Sequence, residues 1–154
     1  MTIRFSYAAD IDQPIDRVFA AVTDIAGLPR WSNVRQVRNL SPGLLKVGST
    51  FQLIAQLGGE DRVVDCRVTA LEPPRRFAYR WASEVEIEPT ERKSTLVEFT
   101  LDPTGDGTRL RVVESGFDQL DASDDQVRSQ FDDNSEGWEI QLGRVRDEAE
   151  RVTA

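Results

Sequence analysis

The clearest hydrophobic pattern lies near the C-terminal end of the chain, in residues 132–152. Apolar residues recur there at intervals of four and three positions, which places them along one face of an α-helix. The stripe consists of Trp138, Leu142, Val145, Ala149 and Val152. Before it, Asp132, Asp133, Asn134 and Ser135 carry side-chain acceptors suited to the unpaired amides of a helix start. We therefore predict a long helix that begins within residues 132–135.

The other faces of this helix carry oppositely charged residues four positions apart. The pairs are Arg144 with Glu148, Arg146 with Glu150, and Asp147 with Arg151. Such spacing is typical of a solvated helix surface. A helix of this kind gains most of its stability by packing its apolar face, so we expect the rest of the chain to supply a partner.

Alternating apolar and polar positions predict strands over most of the preceding chain. The predicted strands cover residues 2–8, 34–38, 51–57, 64–70, 77–81, 95–101 and 110–114. Gly58-Gly59 and the run 105–107 separate neighbouring strands with residues suited to tight turns. Residues 118–130 form a polar connection to which the pattern assigns neither a helix nor a strand.

Two short helical segments are predicted between the first and second strands. Residues 14–23 combine a proline start with apolar residues at helical spacing, and a second helical turn carries Trp31. Strands grouped together, with helices segregated in the sequence, indicate an α+β fold. A curved antiparallel sheet wrapped around the last helix fits this order.

The composition is typical of a globular protein, with 39% hydrophobic and 30% charged residues among 154. This length predicts a single domain over residues 1–154. No apolar run reaches membrane-spanning length and the N-terminus has no signal-peptide block, so we expect a cytoplasmic protein without membrane insertion. A single cysteine, Cys66, provides no disulfide framework and is compatible with a reducing compartment.

Charge narrows the classes of partner. A net charge of −8 argues against a nucleic-acid partner, because phosphate backbones are bound by basic surfaces. Acidic residues crowd into residues 118–136, which indicates either a solvated loop or an acidic docking surface. The chain has no histidine, so it lacks the commonest general base and metal ligand. We expect no metal site and no cofactor.

Five runs of the sequence are distinctive together: residues 66–81 (CRVTALEPPRRFAYRW), 95–117 (TLVEFTLDPTGDGTRLRVVESGF), 134–138 (NSEGW), 11–24 (IDQPIDRVFAAVTD) and 28–31 (LPRW). They resemble the START-like, or SRPBCC, superfamily, and most closely the branch named after the activator of the heat-shock-protein-90 ATPase. The resemblance covers nearly the whole chain. It implies a helix-grip fold, in which a seven-stranded antiparallel sheet curls around the C-terminal helix and leaves a cavity between them.

The resemblance also implies which residues line that cavity. Superfamily members bind lipids, sterols, polyketides or other apolar small molecules, and some are cyclases or dehydratases. The apolar residues that would face the helix, or lie on it, are Phe51, Leu53, Val64, Cys66, Val68, Phe77, Tyr79, Trp81, Val97, Phe99, Leu110, Val112, Trp138 and Leu142. Trp31 is expected to cap one end of the core, where it either contacts the ligand or only packs. The same residues would equally serve as a solid core.

Polar candidates also fall on the inward side. Glu114 shares the parity of the apolar residues on its strand, and Gln141 borders the helix stripe. With Tyr79 they could orient the polar end of a ligand or carry out acid–base chemistry on a carbonyl compound. The alternative is a structural hydrogen bond, for instance from Arg80 to Glu114. Cys66, with no histidine to activate it, is interpreted as a small buried hydrophobe.

Three hypotheses of function follow. The first is a binding protein for a small hydrophobic or amphipathic molecule, which requires a closed cavity of several hundred cubic ångströms. The second is a cyclase or dehydratase in which Glu114 or Tyr79 exchanges protons. The third is a chaperone-associated protein that docks through residues 118–136. The sequence leaves a homodimer open.

Overall fold

The computed structural model of the protein describes residues 4–32, 34–41, 43–57, 60–82 and 88–151. The elements in chain order are β1 (Arg4–Ile11), α1 (Ile15–Thr23), a first 3₁₀ helix (Ile25–Arg30), β2 (Val34–Asn39), β3 (Thr50–Leu57), β4 (Glu60–Glu72), β5 (Arg76–Ala82), β6 (Ser94–Thr104), β7 (Gly107–Ser115), a second 3₁₀ helix (Phe117–Gln119) and α2 (Asp124–Arg151). This order confirms the predicted α+β fold. The predicted turn at Gly58-Gly59 and the last stripe position, Val152, lie outside the described residues.

The strands form one curved antiparallel sheet in the spatial order β1-β7-β6-β5-β4-β3-β2. Strands β2 to β7 each pair with their neighbours in the sequence. Strand β1 pairs instead with β7, at the opposite edge of the sheet from β2. Register shifts interrupt the β2–β3 and β4–β5 ladders. Such irregularities bend a strand and increase its twist. They help to give the sheet the concave face against which the core packs.

The predicted alternation determines which side chains face the core. Val97, Phe99 and Leu101 on β6 are buried, as are Leu110, Val112 and Glu114 on β7. Strand pairing aligns these positions into rows across the sheet, because side chains directly opposite one another share a face. One row joins Tyr79, Val97, Glu114 and Phe5 across four strands. This row leads from the middle of the sheet to its β1 edge and places a carboxylate among apolar side chains.

Helix α2 begins at Asp124, so the prediction that residues 132–135 cap its start is wrong. The actual cap is Ser123, whose hydroxyl accepts a hydrogen bond from the Gln126 amide at 3.2 Å, while the Gln126 side chain accepts one from the Ser123 amide at 3.0 Å. This reciprocal arrangement is a capping box. The first turns extend the apolar stripe backwards through Val127 and Phe131, which pack against the core.

The C-terminal half of α2 also differs from its prediction at one charged position. Glu148 was expected on the solvated surface, but its side chain is about nine-tenths buried. Its carboxylate accepts a hydrogen bond from Arg30 Nε at 2.8 Å and also pairs with Arg151. Glu148 follows Val145 by three positions and so shares the buried face of α2, where the first 3₁₀ helix brings in Arg30.

Candidate functional site

A pocket of about 100 Å³ lies between the concave face of the sheet, the segment joining the first 3₁₀ helix to β2, and the middle of α2. Its lining is mostly apolar and combines residues from all three parts of the fold. The lining residues are Leu28, Trp31, Ser32, Val34, Leu53, Tyr79, Trp81, Val97, Glu114, Asp133, Asn134, Gly137, Trp138 and Gln141. A concave, largely apolar pocket with few polar groups has the character of a small-molecule site.

The predicted site residues divide into two groups. Those that line this pocket are Trp31, Leu53, Tyr79, Trp81, Val97, Glu114, Trp138 and Gln141. Those that are buried in the core but are not part of its lining are Phe51, Val64, Cys66, Val68, Phe77, Phe99, Leu110, Val112 and Leu142. Residues of the same strand therefore divide between the pocket lining and the solid core. Contact of either group with a ligand remains a prediction.

The pocket is smaller than the several hundred cubic ångströms that we expected, because aromatic rings fill much of the space between sheet and helix. Phe77 and Phe99 stack with ring centroids 6.2 Å apart. The edge of Trp138 meets Phe99 at 5.5 Å, and Trp31 lies 6.5 Å from Trp138 on the other side. The space that this pocket retains lies toward the start of β2 and the middle of α2.

Several lining residues were absent from the sequence prediction. They are Leu28, Ser32, Val34, Asp133, Asn134 and Gly137. Asn134 and Gly137 precede Trp138 by four and one positions on α2. The four-residue interval would have placed Asn134 beside Trp138, but Asn134 was interpreted as a helix cap instead. Asp133 and Gly137 lie beside Asn134 and Trp138 on α2, whereas Leu28, Ser32 and Val34 reach the pocket through the packing of the first 3₁₀ helix and the start of β2, which no local spacing specifies.

Glu114 is the central polar group of this pocket and is almost completely buried, with 1% of its surface exposed. Its Oε2 accepts hydrogen bonds from Thr95 Oγ1 at 2.6 Å and Asn134 Nδ2 at 2.9 Å. Its Oε1 accepts one from Trp138 Nε1 at 3.0 Å. These donors come from β6 and α2, so the carboxyl ties the helix to the sheet.

The alternative of a structural hydrogen bond to Glu114 is thus supported, but Arg80 is not the donor. The Arg80 guanidinium donates instead to the Ser94 hydroxyl at 3.2 Å. The pairing of β5 with β6 explains the difference, because Arg80 is opposite Leu96 and points to the other face of the sheet from Tyr79. The donors to Glu114 are therefore uncharged.

Burial dominates the electrostatics of the pocket. It raises the pKa of Glu114 above its ordinary value, and the hydrogen bonds from Thr95, Asn134 and Trp138 oppose that rise. Burial likewise raises the pKa of Tyr79 well above its ordinary value, with smaller contributions from nearby Cys66 and Glu114. The pKa of the Cys66 thiol is raised well above its ordinary value for the same reason, which agrees with its interpretation as an inert hydrophobe.

The raised pKa of Glu114 predicts a pH-dependent contribution to stability. The folded state holds the Glu114 proton more tightly than the unfolded state does, so stabilisation is complete below the unfolded pKa of about 4.3 and is lost as pH rises through the folded pKa. We expect the unfolding free energy of the wild type relative to Glu114→Gln to fall as pH rises from about 4 toward neutrality. Urea denaturation of both proteins across this range measures the difference. If the unfolding free energy of the wild type instead rises with pH relative to that of Glu114→Gln, the prediction is contradicted.

The curved sheet closed by a long C-terminal helix, with a pocket between them, defines a helix-grip protein of the START-like class. The family model described as activator of Hsp90 ATPase homolog 1-like protein matches residues 12–149. The chain belongs to this family, which confirms the resemblance seen in the sequence.

Solved structures extend the comparison. Protein MLL2253 from Mesorhizobium loti is 26% identical with a TM-score of 0.72, and the match covers 97% of this chain and 98% of that one. The ZhuI aromatase/cyclase from Streptomyces sp. R1128 is 20% identical with a TM-score of 0.77, covering 100% and 97%. Ara h 8.0201 is 16% identical with a TM-score of 0.72, covering 97% and 98%. The last two similarities show the fold alone.

No curated protein matches the sequence significantly. Within the described part of the chain, none of the helices combines the length and the apolar character needed to cross a membrane.

Proposed function

We propose that the protein binds a small apolar or amphipathic molecule in the pocket between the sheet and α2. The observation that carries this proposal is the combination of an apolar lining with one buried carboxyl group at the pocket wall. Burying Glu114 costs free energy that an apolar residue would avoid. A carboxyl at the wall can serve to orient the polar end of a ligand, as polar groups do in small-molecule sites.

The rim of the pocket suits entry of such a ligand from solvent. Trp81 and Gln141 are half-buried, and Asp133 is exposed, while Tyr79 and Glu114 lie buried further in. The lining thus changes from accessible to enclosed along its depth. An amphipathic ligand would place its polar end at the buried end of the pocket, where Glu114 lies, and its apolar body against the aromatic walls.

A second candidate function is acid–base catalysis of the cyclase or dehydratase type. The observation that favours it is the position of Glu114, a carboxyl with a raised pKa at the wall of a pocket. Enzymes use such environments to hold a carboxylic acid protonated near neutral pH. Mass spectrometry of small molecules recovered after incubation with the protein distinguishes the two functions. A binding protein returns these molecules unchanged, while an enzyme returns them with an altered mass or structure.

Two glycines of α2 provide a matched test of ligand binding. Gly137 lines the pocket, and a Cβ built there meets only the Gln141 side chain, at 3.5 Å. Gly143 lies further along the same helix, and a Cβ there meets nothing within 4 Å. Leucine favours a helix more than glycine does, so neither substitution is expected to unfold the protein. Leucine at 137 should fill the pocket, whereas leucine at 143 should leave it open.

The probe for this test is N-phenyl-1-naphthylamine, an uncharged apolar dye. We expect saturable binding to the wild type, accompanied by changes in the emission of Trp31, Trp81 and Trp138, which all line the pocket. Gly137→Leu should weaken the affinity at least about tenfold, which corresponds to roughly 1.4 kcal/mol. Gly143→Leu should bind as the wild type does. Equal affinities in all three proteins, or no saturable binding to the wild type, would refute the proposed site.

A further inference from the structure

Trp31 has a buried hydrogen-bond donor without a partner. Only 2% of its surface is exposed, and its indole Nε1 makes no hydrogen bond among the described residues. The equivalent atom of Trp138, its neighbour across the pocket, donates to Glu114. A buried donor that has lost water and gained no partner is unfavourable, and in native proteins such a group calls for an explanation.

Trp31 also borders two cavities. It lines the pocket of about 100 Å³ described above and a second cleft of about 260 Å³. The cleft lies between α1, the first 3₁₀ helix and the C-terminal half of α2. Its lining combines Trp31 and three alanines with charged residues: Ala20, Ala21, Ala149, Arg17, Asp24, Arg30 and Glu148. The first pocket is smaller than typical ligand sites, but the two volumes together reach the usual range of roughly 300–1,000 Å³.

Among the described residues, the Trp31 side chain is held by packing and not by a hydrogen bond. Trp31 follows the first 3₁₀ helix directly and precedes β2, so it lies outside the sheet ladder. Its backbone amide donates to the Leu28 carbonyl at 3.2 Å, and the same carbonyl accepts from the amide and hydroxyl of Ser32, so a movement would involve the ring and not the backbone. Its ring contact with Trp138 is a tilted one at 6.5 Å, which is a weaker restraint than the hydrogen bond that fixes Trp138.

We propose that Trp31 is a movable wall of the ligand pocket, and that its indole N–H binds an acceptor oxygen of the ligand. This inference rests on the proposed function and specifies the ligand class: an apolar molecule that carries an uncharged carbonyl or hydroxyl oxygen. The oxygens of Glu114 already accept three hydrogen bonds, whereas the Trp31 N–H has no acceptor among the described residues. A ligand that supplies an acceptor oxygen would therefore satisfy the Trp31 N–H. The lining of the first pocket includes the acidic residues Glu114 and Asp133 and neither lysine nor arginine, and Arg30 of the cleft is already paired with Asp24 and Glu148, which favours an uncharged polar end on the ligand.

The test compares two probes of similar shape, 2-acetylnaphthalene and 2-isopropylnaphthalene, of which only the ketone has an acceptor oxygen. Indole signals in ¹H–¹⁵N spectra of the labelled wild-type protein report each tryptophan N–H separately. Trp31→Phe assigns the Trp31 signal, because that signal disappears from its spectrum. If Trp31→Phe does not fold, Trp81→Phe and Trp138→Phe assign the other two signals and leave the third to Trp31. We expect the ketone, but not the hydrocarbon, to move the Trp31 indole proton downfield. The nuclear Overhauser contact between the Trp31 and Trp138 rings should weaken as the wall moves.

The affinities provide a second readout. Trp31→Phe keeps an aromatic wall but removes the donor, so it should weaken ketone binding roughly fivefold and leave hydrocarbon binding unchanged. Ketone binding with an unmoved Trp31 indole signal would overturn this inference while leaving the proposed function intact. Failure of both probes to bind the wild type would overturn the proposed function, and the inference with it.

Discussion

Replacing Glu114 with alanine is expected to lower the free energy of unfolding by about 3–5 kcal/mol. The substitution removes the acceptor of three hydrogen bonds, from Thr95, Asn134 and Trp138. Thr95 and Trp138 are buried, so their donors cannot turn to water when the carboxyl is lost. Each stranded buried donor costs roughly 1–3 kcal/mol, and the space left by the side chain adds to the loss.

Urea denaturation at neutral pH measures this effect, and Glu139→Ala is the matched control. Glu139 lies on the exposed surface of α2, next to Trp138 in sequence, so its replacement should change the unfolding free energy by less than about 0.5 kcal/mol. A loss below about 1 kcal/mol for Glu114→Ala would show that the three donors find other partners. That outcome would also show that Glu114 contributes little to holding α2 on the sheet, which the hydrogen bond between Tyr7 and Ser135 also joins.

The expected size of this effect reflects how the fold joins its two layers. Most contacts between α2 and the sheet are apolar and therefore tolerate small shifts of the helix. The hydrogen bonds of Glu114 are directional and come from both β6 and α2. They fix the position of Trp138, and so the shape of the pocket, more tightly than packing alone does. The same carboxyl is then both a structural link and the polar wall of the site.

The sheet could be predicted from the sequence because period-two alternation was clear on its strands. Val97 and Phe99 on β6 face the core, as the pattern of Thr95–Leu101 predicted. A one-residue error in register would have turned these residues to solvent, which burial does not allow. The inward position of Glu114 followed from the same alternation, although it conflicts with the usual preference of carboxylates for water.

The start of α2 could not be located from hydrophobicity because its first turns are highly polar. Asp132 and Asp133 resemble capping residues, yet both lie inside the helix on its exposed side. The better signal was Ser123 followed three positions later by Gln126, which has the spacing of a capping box. Asn134 interrupts the apolar stripe of α2 and donates a hydrogen bond directly to Glu114. A polar position in the helix thus matches a polar position in the sheet.

The size of the pocket lay beyond sequence reasoning for a different reason. Alternation shows which side chains face inward but not how far each extends into the interior. The stacking of Phe77 on Phe99 and the edge contact of Trp138 depend on side-chain rotamers and on the height of α2 above the sheet. These are properties of the packed structure. The sequence therefore predicted the set of inward residues and overestimated the space among them.

Trp138→Ala is expected to be among the most destabilising substitutions in α2, with a loss of about 3–5 kcal/mol. The indole packs against Phe99 at 5.5 Å and Trp31 at 6.5 Å, and it donates to Glu114. Trp138→Phe retains most of the packing and removes the N–H, so it should cost only about 1–2 kcal/mol. Unfolding by urea, followed by circular dichroism, compares the two variants without relying on tryptophan emission.

Trp81→Ala is the control for the size of the deleted ring. Trp81 also lines the pocket but is only half-buried at its rim, so its loss should cost clearly less than that of Trp138. Equal losses for the two alanine variants would mean that Trp138 does not anchor α2. Equal losses for Trp138→Ala and Trp138→Phe would instead assign nearly the whole effect to the hydrogen bond with Glu114. The anchor would then be the polar contact, and the aromatic rings would only fill the space that the contact defines.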